Sequence, residues 1–270
     1  MQPSQHFRTW AALEARVQTF AKSNTVASGL ELGHYSQLLF RGQADSKWQL
    51  DTTLERARPK FTALADYYRS IAVAKTQIET FTSHKWAELD YPTVQTQLSD
   101  YDTLRNAQLP AYDYLVYLRH HGFPSPLLDW SRSLYIAAYF AFHEPKGKNV
   151  AISVFQEYAG GGKSRSSGEP QIIGMGPNVR SHPRHFLQQG EYTMCCQFKD
   201  GDWHFASHSD VFAKKEQQQD RLWKFTIPAT QAPAVMKRLS EYNINAYSLF
   251  QSEESLLKTL ANQLLAPLPR

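Results

Sequence analysis

An α+β fold, with helices packed on a mostly antiparallel sheet, is predicted by three observations. The first 144 residues carry mainly helical periodicity, whereas short β-branched and aromatic runs take over from Val150. These runs (VAISVFQ, EYTMCCQF, DWHFAS and RLWKFTI) are bounded by Gly, Asp and Pro, as strands are. With 270 residues, 42% of them hydrophobic, the chain can bury a sizeable core, and a single domain over 1–270 is expected.

In order, Trp10, Leu13, Val17 and Phe20 recur three or four apart, which predicts an amphipathic helix over 8–22 within an N-terminal segment of 1–36. Leu38, Leu39 and Phe40 read as the end of a buried strand opening a core of 37–260. A helix is predicted over 61–84, and a loop or short helix over 90–109. Another helix runs through AYDYLVYLRHHG, from Pro110 to a cap at Gly122. The proline-rich FPSPLLDW is expected to be a turn, with Asp129 and Ser131 capping a near-continuously apolar central helix. Helices at 231–242 and from Glu253, with a short apolar piece at 244–250, complete the chain. AGGGKSRSSGEP, 159–170, reads as a flexible surface loop.

The composition excludes several classes. A net charge of +4 with scattered Lys and Arg permits a phosphate-bearing partner without requiring one. The two cysteines, Cys195 and Cys196, are adjacent, so no disulfide framework is expected and a reducing cytoplasm fits. No secretory leader is legible, and the longest apolar run, 134–142, is too short to span a membrane. Gly162, Lys163 and Ser164 mimic a phosphate loop, but Glu157 stands where its first glycine belongs. His182, His185, His204 and His208 lack the helical context that would make their spacing a metal site, and no metal is expected.

Two features remain. Arg41 directly follows three large apolar residues, where an unpaired charge would be costly, so it must hold something. Its partner is either Asp129 or a Glu in an ion pair, or a ligand in an open pocket. The segment HHGFPSPLLDWSRSLYIAAYFAF reads either as a rigid helix-turn-helix or as one wall of a pocket, with Trp130, Tyr135 and Tyr139 as stacking surface.

FRGQ at 40–43 with Trp48 downstream, HGFPSPLLDWS at 121–131 followed by AAYFAF, and RHFLQQGEYT at 184–193 resemble the bacterial and phage FRG domain family. That family's central pattern is close to HG-x-P-T-R-L-L-D-W-T, so Ser125, Pro126 and Ser131 depart from it. LFQSEESL at 249–256 looks like a degraded form of a later family motif, with Glu254 at its acidic position.

A weaker similarity is to ADP-ribosyltransferases, in the order Arg41, then Ser131 with YFA at 139–141, then a late Glu. This resemblance implies an ADP-ribosyltransferase-like fold and transfer of ADP-ribose from NAD, the substrate, to a macromolecule such as DNA or RNA, in a phage-defence or toxin setting. Cleavage at the ribose passes through an oxocarbenium-like state that a carboxylate stabilises, and Glu191 and Glu254 are the candidates. Arg41 would grip the anionic side and Gly42 would let the ligand approach the backbone. Tyr135 or Tyr139 would stack on nicotinamide, Gln43 or Gln189 would hydrogen-bond it, and His121 is either a turn residue or a base. The alternatives are a non-catalytic nucleotide or nucleic-acid sensor and, below that, a nuclease.

Overall fold

The computed structural model describes residues 4–29, 36–100, 108–159, 168–180, 182–214 and 218–265, together with 102, 104, 163, 164 and 166. Eight strands form one sheet: β1 (Gln5–His6), β2 (Leu39–Gln43), β3 (Leu128–Ser131), β4 (Asn149–Tyr158), β5 (Gln171–Gly174), β6 (Gly190–Lys199), β7 (Asp202–Phe205) and β8 (Gln219–Pro228). Their order is β1-β8-β4-β2-β3-β6-β5, with β7 also on β6, and only β1–β8 is parallel. The helices are α1 (Trp10–Gly29), α2 (Thr53–Ala57), α3 (Leu64–Thr82), α4 (Tyr91–Ser99), α5 (Tyr112–His120) and α6 (Leu134–Phe142), then α7 (Pro183–Leu187), α8 (His208–Ala213), α9 (Ala232–Glu241), α10 (Ala246–Phe250) and α11 (Glu253–Leu264). The α+β class and the antiparallel sheet are as the sequence predicts.

Strand β4 shows why this sheet is buried on both faces. Its alternation sends Val150, Ile152 and Val154 into a core with α1, α6 and α9, while Phe155 joins Leu39, Trp130, Phe212 and Leu222 on the opposite face. A third core packs α3, α4 and α5 around Met194, Cys196 and Trp203. Among the described residues no helix is long and apolar enough to cross a membrane.

Strands β4 to β8 come from the C-terminal half, as the β-rich runs from Val150 predict, and the predicted strand at Leu38–Phe40 is β2, which sits with β3 at the centre of the sheet. Several expectations are corrected. The end of FPSPLLDW is strand β3, paired with β6 from Leu128 to Ser131, so Asp129 and Ser131 cap no helix. Helix α6 starts three residues beyond Ser131, and Ser133 accepts from the Ile136 amide as its cap. Ser131 instead donates to the Gln188 carbonyl and accepts from the Ser133 amide.

Helix α4 forms inside 90–109 despite its weak periodicity, because Asp90 caps it and Val94 and Leu98 alone reach the core. The apolar piece at 244–250 contains α10, closed by an Asn245–Ser248 capping box. Within the predicted surface loop, positions 160–162, 165 and 167 lie outside the described residues. Lys163 is buried there rather than exposed, with its side chain 2% accessible.

Candidate functional site

The sheet opens where β2 and β3 part. They pair at a single point, Phe40 opposite Ser131, while β2 continues along β4 and β3 along β6. Arg41 fills the gap that the missing ladder leaves. Its Nη1 donates to the Asp129 carbonyl at 2.7 Å and to Asp129 Oδ1 at 2.6 Å. Arg119, near the end of α5, donates Nη2 to the same Oδ1 at 2.6 Å. One carboxylate therefore serves two guanidinium groups, and the cluster is left with a surplus positive charge. The two guanidinium groups hold the Asp129 carboxyl far below the usual carboxylate range against the opposing effect of burial, and Asp129 in turn raises Arg119. Arg41 Nε and Arg119 Nε are buried and meet no acceptor among the described residues.

A cavity of about 180 Å³ opens beside this triad, lined by Arg41 and Asp129 and also by Trp48, His120, Phe140, Gln188 and Tyr192, while Arg119 stands behind Asp129. Trp48 and Phe140 expose their rings there, at 48% and 37%. Pockets for whole drug-sized ligands run to roughly 300–1,000 Å³, so this one suits a single ring or phosphate group of a larger molecule lying across its mouth. On the far side, His120 Nε2 and the Tyr192 hydroxyl are 2.7 Å apart. Tyr192 also reaches His185 Nδ1 at 3.3 Å, and His185 Nε2 donates to the Pro177 carbonyl at 2.8 Å. Burial lowers the His120 pKa to about 4, so its imidazole is neutral at pH 7.

The open question about Arg41 has a double answer: it is paired with Asp129, and the pair lines a cavity. Of the other predicted residues, Gly42, Trp130 and Ser131 also line it. Gly42 is needed for packing rather than for ligand approach. A Cβ there would lie 1.9 Å from the Ala137 carbonyl oxygen and 2.7 Å from the Ala141 amide, inside the backbone of α6. Trp130 is buried, stacked on Phe155 and bonded through Nε1 to Thr193, so it forms the floor rather than a stacking surface. Gln43 is buried and spends its amide on the Trp48 and Gln49 carbonyls, shaping the segment that carries Trp48.

The remaining predicted residues lie elsewhere. Tyr135 donates to Glu14, and Tyr139 stacks on His143; neither lines this cavity. His121 stacks on Tyr117 outside it, while its neighbour His120 lies inside. Gln189 is exposed with φ 48°, and Gln188 takes the place in the wall. Glu191 sits between Gly190 and Tyr192, which both face the cavity, so strand alternation turns it away toward Gln37 and Arg132. Glu254 lies in an adjoining groove that shares Phe140 with the cavity and contains Arg184, whose Nη1 donates to the His120 carbonyl.

Sequence reasoning missed Arg119, His120, Phe140 and Tyr192 and quoted Trp48 without giving it a role. The phase of α6 held a usable signal: Ala137 and Ala141, four apart and small, mark the face against β2, and Phe140 shares it.

Residues 36–150 match the family model of the FRG domain. No curated protein and no solved structure matches the chain. The matched span contains Arg41, Trp48, Arg119 and Asp129, whereas Gln188, Tyr192 and Glu254 come from the sequence beyond it.

Proposed function

We propose, from the FRG domain match over residues 36–150 and the cavity its residues line, that this protein binds a nucleotide by its anionic part and transfers ADP-ribose from NAD to a macromolecule. The observation that carries the reading is the Arg41–Asp129–Arg119 triad, a cluster with a positive surplus that borders, through Arg41 and Asp129, a cavity with two exposed rings. Guanidinium forks suit phosphate oxygens, and Trp48 with Phe140 suits a planar heterocycle.

The triad has a positive surplus and would not by itself steady an oxocarbenium ion. The carboxylate for that task is Glu254, fully exposed across Phe140 and kept ionised by its own backbone amide and Ser252. Mild basicity supports a nucleic-acid acceptor, and the family resemblance a phage-defence or toxin role in the cytoplasm.

The test incubates pure protein with NAD, alone and with DNA, RNA or protein, and measures nicotinamide release and acceptor mass. Glu254→Gln should cut release at least a hundredfold while NAD still stabilises the fold, and Trp48→Ala should weaken NAD binding. A second reading, a nucleotide sensor without turnover, is favoured by the fact that the one carboxylate in the cavity is already shared between two arginines. Thermal stabilisation by NAD with no nicotinamide released would select it. Magnesium-dependent cleavage of nucleic acid would contradict both.

A further inference from the structure

On the face of the sheet that carries Leu39, Phe155 and Leu222, register builds a polar row. Arg41 is paired with Ser153, and Ser153 with Lys224, so the three side chains stand side by side on one face of β2, β4 and β8. A cavity of about 290 Å³ lies over the outer part of this row, beneath α8 and the segment that follows β2. Its apolar walls are Leu50, Phe212 and Leu222, and Gln49, Ser153, Ser209 and Lys224 supply its polar groups.

Two of those polar groups are unspent. Ser153 is wholly buried, and its Oγ has no hydrogen-bond partner among the described residues. Lys224 makes one hydrogen bond, from Nζ to the Trp48 carbonyl at 2.8 Å, and no ion pair among the described residues. An ammonium carries three donors and a serine hydroxyl one, so the cavity offers more donors than the protein accepts. A buried polar group without a partner is costly, and an ammonium between apolar walls favours an anion.

We propose that this cavity is a second binding site, distinct from the cleft at Arg41, for a small molecule with an apolar body and a carboxylate. The body lies against Leu50, Phe212 and Leu222. The carboxylate accepts from Lys224 Nζ and Ser153 Oγ, its four lone-pair positions matching donors from two directions. The two sites share a wall, since the Trp48 carbonyl held by Lys224 belongs to the residue that lines the cleft.

Benzoate is the probe, titrated calorimetrically into the intact protein, with benzamide as its neutral counterpart. Benzoate should bind, and benzamide should bind at least tenfold more weakly. Lys224→Met should weaken benzoate at least tenfold. Ala213→Trp, placed at an exposed position of the cavity wall, should abolish binding while leaving the melting temperature near that of the parent. No benzoate binding at millimolar concentration would overturn the proposal, as would binding that both variants leave unchanged. None of these measurements involves NAD, so failure here leaves the reading of the Arg41 cleft standing.

Discussion

Two charged triads sit in this sheet, and they are opposites. At the centre, one carboxylate (Asp129) is shared by two guanidinium groups (Arg41 and Arg119). Near the β5 and β8 strands, one ammonium (Lys163) is shared by two carboxylates, Asp220 at 2.6 Å and Glu157 at 3.2 Å. Lys163 also donates to the Ile172 carbonyl, so all three of its protons have acceptors. That triad is closed, with the Lys163 and Asp220 side chains each 2% exposed. The Asp129 triad is open, with its carboxylate 39% exposed in a cavity and two guanidinium N–H groups unspent. A cluster with every donor satisfied and its ammonium shut away from solvent can only staple the fold. One whose positive surplus borders a cavity through Arg41 and Asp129 can take an anionic ligand.

The sharpest way to break the contrast is to remove the hub of the closed triad. Lys163→Ala leaves two carboxylates facing each other without their cation, and breaking such a buried pair costs about 3–5 kcal/mol. Denaturant unfolding should show that loss, while nucleotide binding by the surviving folded fraction stays at the parent value. A stability change below about 1 kcal/mol, the range of a surface pair, would mean that the closed triad is a surface feature after all.

The two triads also mark what was legible in the sequence. Arg41 was readable because a charge after Leu38, Leu39 and Phe40 violates the local pattern, and Asp129 was already a named partner. Arg119 was not, because a basic residue in the last turn of a helix is ordinary and gives no sign of which way it points. Lys163 was misread because glycine and serine composition reports backbone freedom but not the one side chain that folds inward. Strand β3 was hidden by two prolines just before it and by its four-residue length, too short for an alternation to show. Helical periodicity located α1, α3 and α5 because each buries a stripe, and near-continuous apolarity located α6, which is buried on nearly all sides. The cavity was harder to see, because it depends on which strands part, and that is set by pairings between segments some 90 residues apart.

Gly42→Ala sharpens the comparison by moving the strand that carries Arg41 without substituting a member of either charge cluster. The added methyl meets α6 backbone rather than a flexible side chain, so strand and helix must separate. Overpacking of this kind costs typically about 1–3 kcal/mol, and this site should lie at the upper end. Thermal unfolding gives the stability loss, and NAD binding should weaken with it as Arg41 shifts from Asp129. An unchanged melting temperature would contradict the close packing of β2 on α6.

Asp129→Asn tests the open triad directly. Solvent access through the cavity should limit the loss of stability to about 1–2 kcal/mol, less than for Lys163→Ala. At the same time the cavity gains a second uncompensated positive charge, so inorganic pyrophosphate should bind about tenfold more tightly at low salt, an advantage that fades as salt screens it. Weaker pyrophosphate binding in a folded variant would show that Asp129 orients the arginines more than it neutralises them.

A pH-dependent effect, small over any one pH unit, comes from the residue that feels both triads. His208 is fully buried, shares a hydrogen bond with Thr193, and has its pKa lowered to about 3 by burial first, then by Arg41 and Lys163. His120, in the cavity wall, is lowered to about 4, chiefly by burial. Both folded values lie below the roughly 6.5 of an unfolded histidine, so between about pH 4 and 6.5 the unfolded chain binds more protons than the folded one. Stability should therefore rise with pH across that window, each histidine adding at most about 1.4 kcal/mol per pH unit. Asp129 has the opposite charge but acts in the same direction, since its depressed pKa means that its contribution is lost only as pH falls below the unfolded carboxylate value. Denaturant midpoints at pH 4.5, 5.5 and 6.5 separate the two histidines. His208→Gln should remove one histidine's share of the slope, and His120→Gln the other. In Arg41→Gln the His208 share should shrink only slightly, because burial, not the neighbouring cation, is its first cause. A larger drop would mean that the Arg41 cation, not burial, is the main cause of the His208 shift.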